Sequence, residues 1–170
     1  RYFVNFADAA ARVNISPAVV FGYGQRIGDA DMMALGAWGA QDQSVAQTGL
    51  SDSLGRVLGG LSSLEALLTY EPRQPKPRDA WLPDIQVMVA RDVNGSEAGF
   101  FVAAKEGHNE ESHNHNDVGN FVVYVDGKPL IVDIGVEDYT SKTFGAHRYE
   151  IWTMRSAFHS VPTINGVEQA

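Results

Sequence analysis

Five histidines crowd one stretch of this chain: His108, His113, His115, His147 and His159 all fall between positions 108 and 159. The densest run is Ser112-His113-Asn114-His115-Asn116-Asp117-Val118-Gly119-Asn120-Phe121. In an extended segment alternate side chains share a face, so His113, His115 and Asp117 are expected to project together, with Asn114 and Asn116 pointing away. Such a face can meet a metal ion or a substrate; a polar surface turn rich in Asn and His is the competing reading. Asp133 tips the balance toward chemistry. It closes Leu130-Ile131-Val132, and a carboxylate in apolar company is costly unless paired or bound to a cation. With a hairpin turn at Asp126-Gly127, residues whose numbers sum to about 253 face each other, which sets Asp133 opposite Asn120 and near His115. His159 ends Trp152-Thr153-Met154-Arg155-Ser156-Ala157-Phe158, a segment of strand composition in which a histidine is more often a hydrogen-bonding side chain than a ligand. The chain has no cysteine, so a transition metal would be held by His, Asp and Glu alone. Two imidazoles and one carboxylate, with a fourth place for water, suit zinc.

The elements that must position these groups divide into two kinds. Residues 1 to 71 read as helical. Ser16-Pro17 opens a helix over Ala18 to Ile27. A second follows Asp29 and carries Met32, Met33, Leu35, Trp38 and Val45. Ser51, Asp52 and Ser53 offer caps to a third, in which Leu54, Val57, Leu58, Leu61, Leu64, Leu67 and Leu68 recur at amphipathic spacing. Short loops between them predict antiparallel helical hairpins. Residues 72–80, with Pro72, Pro75 and Pro77, cannot be helix interior and form the domain boundary. From residue 81 to 170 the period falls to two. Strands are expected around Ile85 to Val89, Phe100 to Ala104, Phe121 to Val125 and Leu130 to Ile134, with turns at Asn94-Gly95, Asp126-Gly127 and Asn165-Gly166. Gly22 and Gly24 have no strand before them and are not a dinucleotide fingerprint.

Composition excludes several classes. A formal charge of −8, from 13 Lys and Arg against 21 Asp and Glu, with no basic run, disfavours nucleic acid as a partner. No apolar run reaches the roughly 18 residues of a membrane span. The chain begins without Met and stops just after a hairpin turn, so it is expected to be a fragment that lacks the remainder of its own chain.

His113-Asn114-His115-Asn116-Asp117, then Asp126-Gly127-Lys128-Pro129-Leu130-Ile131-Val132-Asp133-Ile134-Gly135, then Arg148-Tyr149-Glu150-Ile151-Trp152 and His159, closing on Thr163-Ile164-Asn165-Gly166, together resemble the heparinase II/III-like polysaccharide lyases. The resemblance runs over about residues 98 to 168 and fits the helical half more loosely. It implies an α+β multidomain fold: the C-terminal helices of an (α/α) toroid in residues 1–71, the proline-rich linker, and an antiparallel β-sandwich in 81–170, both domains incomplete here. It implies one zinc ion of structural and electrostatic role on His115, Asp133 and His159, with His113 lining the cleft. The catalytic tyrosine of the family pattern falls on Tyr139 or Tyr149, and Tyr139 is favoured because Tyr149 lies in a strand-like segment beside Trp152. A bacterial periplasmic or secreted location is a further implication.

The implied reaction is β-elimination across C4 and C5 of a uronic acid in an anionic polysaccharide such as heparan sulfate or alginate. It requires a neutralised carboxylate, removal of the C5 proton and protonation of the leaving C4 oxygen. His113 and the tyrosines can do the proton work, the tyrosine if a nearby cation lowers its pKa. Arg148, His147 and Asn116 are the candidate substrate contacts. Two alternatives stand beside this reading: a non-catalytic, zinc-stapled carbohydrate-binding module, and a zinc hydrolase with Glu110 or Glu111 as general base.

Overall fold

The computed structural model describes residues 2–12, 16–41 and 54–169. They fold as two units, Asn14–Pro75 and the pair of segments Arg1–Val13 with Lys76–Ala170. The division falls inside the proline-rich stretch.

The first unit is helical. α1 spans Pro17–Ile27 and α2 Ala30–Ala40, with Gly28 in the left-handed conformation between them and Asp29 capping α2 by accepting from the Met32 N–H at 2.9 Å. Gly24 and Gly36 explain why the two helices pack so closely. A Cβ at Gly24 would lie 2.8 Å from that of Met32, and one at Gly36 2.8 Å from that of Phe21. Of the glycine pair noted in sequence, Gly24 thus serves close helix approach, while a Cβ at Gly22 would meet only the Ser63 hydroxyl at an ordinary 3.6 Å. The single third helix expected from the leucine spacing is two, α3 over Leu54–Ser62 and α4 over Leu64–Thr69. Ser63 separates them, its hydroxyl turned back onto the Gly60 carbonyl, a local bond that competes with the helix ladder. The core comprises Ala18, Phe21, Ala37, Ala40 and Leu67, with Tyr70 edge-on to Phe21 at 5.5 Å. Leu58, Leu61 and Leu68 are exposed. The expected positions Val45, Ser51, Asp52 and Ser53, and the side chains of Leu54 and Val57, lie outside the described residues. No helix among the described residues is long and apolar enough to cross a membrane.

The second unit is built on one antiparallel meander in the order β1-β2-β3-β4-β5: Asp79–Leu82, Val87–Arg91, Phe100–Lys105, Phe121–Val125 and Lys128–Ile131. Asp126 and Gly127 both have positive φ, 49° and 73°, the signature of a two-residue hairpin that only such residues adopt cheaply. Val125 pairs with Lys128 and Tyr124 with Pro129, as a sum of 253 requires, but a bulge between Val123 and Tyr124 shifts Val123 onto Ile131. Ala103, Val122 and Tyr124 form the core, joined by Val4, Phe6, Val89 and Phe101.

Two expectations are corrected here. Residues 2–12 contain no helix; the aromatic and β-branched run Tyr2-Phe3-Val4 favours extended backbone, and this segment packs Val4 and Phe6 on the sheet. The stretch 148–158 is not a strand but three 3-10 turns, Arg148–Glu150, Trp152–Met154 and Ser156–Phe158. Consecutive Thr153 and Met154 are both buried, which a period of two forbids for a half-buried strand.

Candidate functional site

The histidine-rich loop begins where β3 ends. Lys105, almost wholly buried, donates to Asp117 Oδ1 at 2.7 Å and reaches Glu111 at 3.2 Å. This pair draws the loop back over the sheet. Its path is tight, with His113 at φ 58° and Gly119 at φ 84°, so the expected alternation of faces fails. His115 and Asp117 are fully buried, Asn114 and Asn116 are buried with them, and of residues 113–117 only His113 is exposed. Backbone bonds explain the winding: Asp117 N–H donates to His115 O at 2.9 Å and Asn120 N–H to Asp117 O at 3.0 Å.

At the loop's outer end the structure adds a residue the sequence reading missed. Asp8 Oδ1 lies 2.8 Å from His115 Nε2; Asp8 Oδ2 accepts from the Tyr139 hydroxyl at 2.7 Å and lies 3.0 Å from His113 Nδ1. His113 Nδ1 and the Tyr139 oxygen are themselves 3.2 Å apart, and Phe144 stands edge-on to both rings. Burial pushes the Asp8 carboxyl up, but the hydrogen bonds from Tyr139, His113 and His115 outweigh it and hold the group below the usual carboxylate range. His115 moves down, chiefly by burial, against the pull of Asp8, so burial favours its neutral form beside the carboxylate. Tyr139 moves up, because Asp8 takes a hydrogen bond from the phenol. The lowering expected from sequence depends on a nearby cation; Arg148 pulls the phenol in that direction without outweighing Asp8. Asp8 could have been noticed only as a lone acid in Asn5-Phe6-Ala7-Asp8-Ala9-Ala10, a weak signal.

At the inner end His159 Nδ1 lies 2.6 Å from Asp133 Oδ2, and both side chains are sealed from solvent. Asn120 donates to the same oxygen at 2.5 Å, and the Gly135 N–H to Asp133 Oδ1 at 2.8 Å. Burial raises the Asp133 carboxyl, yet His159, Gly135 and Asn120 together hold it below its ordinary value. The ring of His115 packs 5.2 Å from that of His159. Two nitrogens in this centre, His115 Nδ1 and His159 Nε2, are buried without a hydrogen-bond partner, which is expensive for an imidazole that could accept. By type, two imidazole nitrogens and a carboxylate are donors that zinc accepts. Among the described residues, however, no three His, Asp or Glu side chains stand as a metal-binding cluster; the carboxylate and imidazole are closed on each other by a hydrogen bond.

The remaining predicted residues sit around this centre with other partners. Arg148, largely buried, donates to the carbonyls of Thr143 and Asn114 and comes within 3.7 Å of Asp8 Oδ1. Tyr149 has only a 3.4 Å contact from the Asn114 amide. Asn116 is buried and donates to the Gln169 carbonyl at 3.0 Å, apart from the Tyr139 pair. His147 is exposed and pairs with Glu150 at 2.6 Å. Of the acids offered for a hydrolase, Glu111 is engaged with Lys105, while Glu110 uses its N–H on His108.

A family model described as heparinase II/III-like, C-terminal, matches residues 74–170. No curated protein matches the sequence. Among solved structures, one described as the crystal structure of heparinase III aligns with 98% of this chain at 19% identity and a TM-score of 0.58, covering 23% of that protein. A heparinase III with methylated lysines aligns with 96% at 12% identity and a TM-score of 0.46, covering 31% of it. The chain therefore spans about a quarter of the length of the first, and that likeness shows the fold. With more than half of its residues inside the family model, this chain belongs to the heparinase II/III-like family, of which it carries the C-terminal domain.

Proposed function

We propose that the full-length protein is a polysaccharide lyase that cleaves a uronate-containing anionic polysaccharide by β-elimination. The observation that carries this reading is the exposed His113 and Tyr139 pair, braced on one buried carboxylate, in a chain of the heparinase II/III-like family. His113, more than half exposed, takes the C5 proton. Tyr139, whose phenol retains its proton beside Asp8, donates to the C4 oxygen as the glycosidic bond breaks. The substrate carboxylate meets Arg148 and His147, the basic pair that follows Phe144. Tyr149 and Asn116 are assigned lesser parts, Tyr149 as a second phenol and Asn116 as support for the loop. Zinc held by His115, Asp133 and His159 would supply a fixed positive field beside the pair and pin the loops that carry it. Glu111 is tied to Lys105, which weakens the hydrolase alternative.

The test uses the full-length protein against a panel of uronate polymers, heparan sulfate and alginate among them. A lyase leaves an unsaturated uronate that absorbs in the ultraviolet. Tyr139→Phe should lower kcat about 100-fold or more, the usual worth of a positioned proton donor. Wild-type protein that binds a polymer but releases no ultraviolet-absorbing product would replace this reading with the carbohydrate-binding module.

A further inference from the structure

Asp8 touches three groups that the proposed reaction and metal site use, and it divides them between its two oxygens. Oδ1 faces His115 Nε2 at 2.8 Å, while Oδ2 faces Tyr139 Oη at 2.7 Å and His113 Nδ1 at 3.0 Å. An ionised carboxylate accepts hydrogen bonds and has none to give. Each imidazole nitrogen set against it must therefore carry the proton. For His115 that fixes the proton on Nε2, and the lone pair falls on Nδ1, the atom buried without a partner. For His113 it fixes a proton on Nδ1, so in the neutral tautomer the lone pair falls on Nε2 of a ring more than half exposed.

We propose that Asp8 is a positioning residue that sets two imidazoles in opposite tautomers at once, turning the His115 lone pair to the buried centre's donor set and the His113 lone pair to the substrate side. The inference rests on the lyase reading for its catalytic consequence; the tautomers follow from geometry alone. The backbone that delivers Asp8 is built to hold it. Ala7 has φ 52°, a left-handed conformation that is strained for a residue bearing a Cβ. Its N–H donates to Asp117 Oδ2 at 3.2 Å, and Asp117 is in turn held by Lys105. A hydrogen bond from Ala9 N–H to Phe6 O at 3.1 Å closes the turn. The buried ion pair thus anchors the histidine loop and the acid that orients its two imidazoles.

Carboxylates hydrogen-bonded to a ligating histidine are worth about 10- to 100-fold in metal affinity. Here one carboxylate would serve that purpose on one histidine while aligning a proton acceptor on the other. That couples zinc retention to turnover through a residue that need touch neither zinc nor sugar.

The deciding experiment begins with wild-type full-length protein, labelled with 15N-histidine and stripped of metal. Two-bond proton–nitrogen spectra should place the proton of His115 on Nε2 and that of His113 on Nδ1. A His115 proton on Nδ1, or a His113 proton on Nε2, overturns the proposal without any variant having to fold. Asp8→Asn should then lower zinc affinity, read by competition with a chelator, about 10- to 100-fold, and lower kcat while KM stays within about twofold. Asp8→Glu, which restores a carboxylate, should recover part of both. Zinc affinity and kcat unchanged in Asp8→Asn would also overturn it. Absent lyase activity in wild type would remove the proposed function alone, since the tautomer and zinc readouts still decide the role of Asp8.

Discussion

The sheet and the loops beside it bury opposite kinds of side chain. On the sheet and its edge, Phe100, Leu130 and Val132 are more than half exposed, while in the loops His115, Asp117, Asn120 and Thr143 have no accessible surface. The sheet is held by backbone ladders and a small apolar core, the loops by polar groups satisfying one another. The two respond differently to substitution. A lost methyl group costs transfer and cavity energy in proportion to its size, whereas a lost partner in the loops strands a buried charge. Polar burial of this density needs a reason beyond stability, and a site that presents His113 and Tyr139 in fixed geometry supplies one.

The sharpest test of that contrast is Lys105→Met, which keeps the length of the side chain and removes its charge. Asp117 would remain buried with no cation, and the expected cost is about 3–5 kcal/mol, read from urea unfolding of the purified protein. The pH dependence follows from the ammonium itself. Burial pulls Lys105 down, but its bonds to Asp117 and Glu111 outweigh burial and leave it above free lysine. A raised folded pKa gives stability that is complete below the unfolded value, about 10.4, and is lost as pH climbs through the folded one. The gap between wild type and variant should hold through neutral pH and narrow in alkali. A variant as stable as wild type at pH 7 would mean that the loops are not held by this pair.

Val122→Ala probes the other region. Val122 is fully buried in the middle of β4, paired with Ala103. Losing two methyl groups, at about 0.8 kcal/mol each plus a cavity term, predicts a cost of about 2 kcal/mol. The same unfolding measurement checks it. A cost equal to that of Lys105→Met would erase the difference between apolar and polar regions.

What the sequence discloses follows the same divide. The Asp126-Gly127 turn is legible because positive φ is a property of the residues themselves, and the register it sets brings Asn120 to Asp133 despite the bulge at Val123. The approach of His115, Asp133 and His159 could be expected from that register and the family likeness. Asp8 was not legible. Its partners lie more than 100 positions away, and nothing in Ala7-Asp8-Ala9 marks the segment as returning to the sheet. Lys105 was hidden for a related reason, since a lysine at a strand end reads as solvated until its carboxylate is located. The turns over 148–158 escaped because their composition matches a strand, while their burial is dictated by the polar centre they wrap.

The smallest expected effect is the most economical check on the sheet. Leu130 lies in β5 with more than half its surface open, and the adjoining Pro129 is paired through the backbone to Tyr124. Leu130→Thr removes apolar surface that is already in water and keeps a residue suited to strands. Stability of this chain should therefore change by less than about 0.5 kcal/mol, the range of surface substitutions away from special features. A loss of 2 kcal/mol or more would mean that Leu130 is covered in solution, and the sheet would then share the loops' dependence on what is buried.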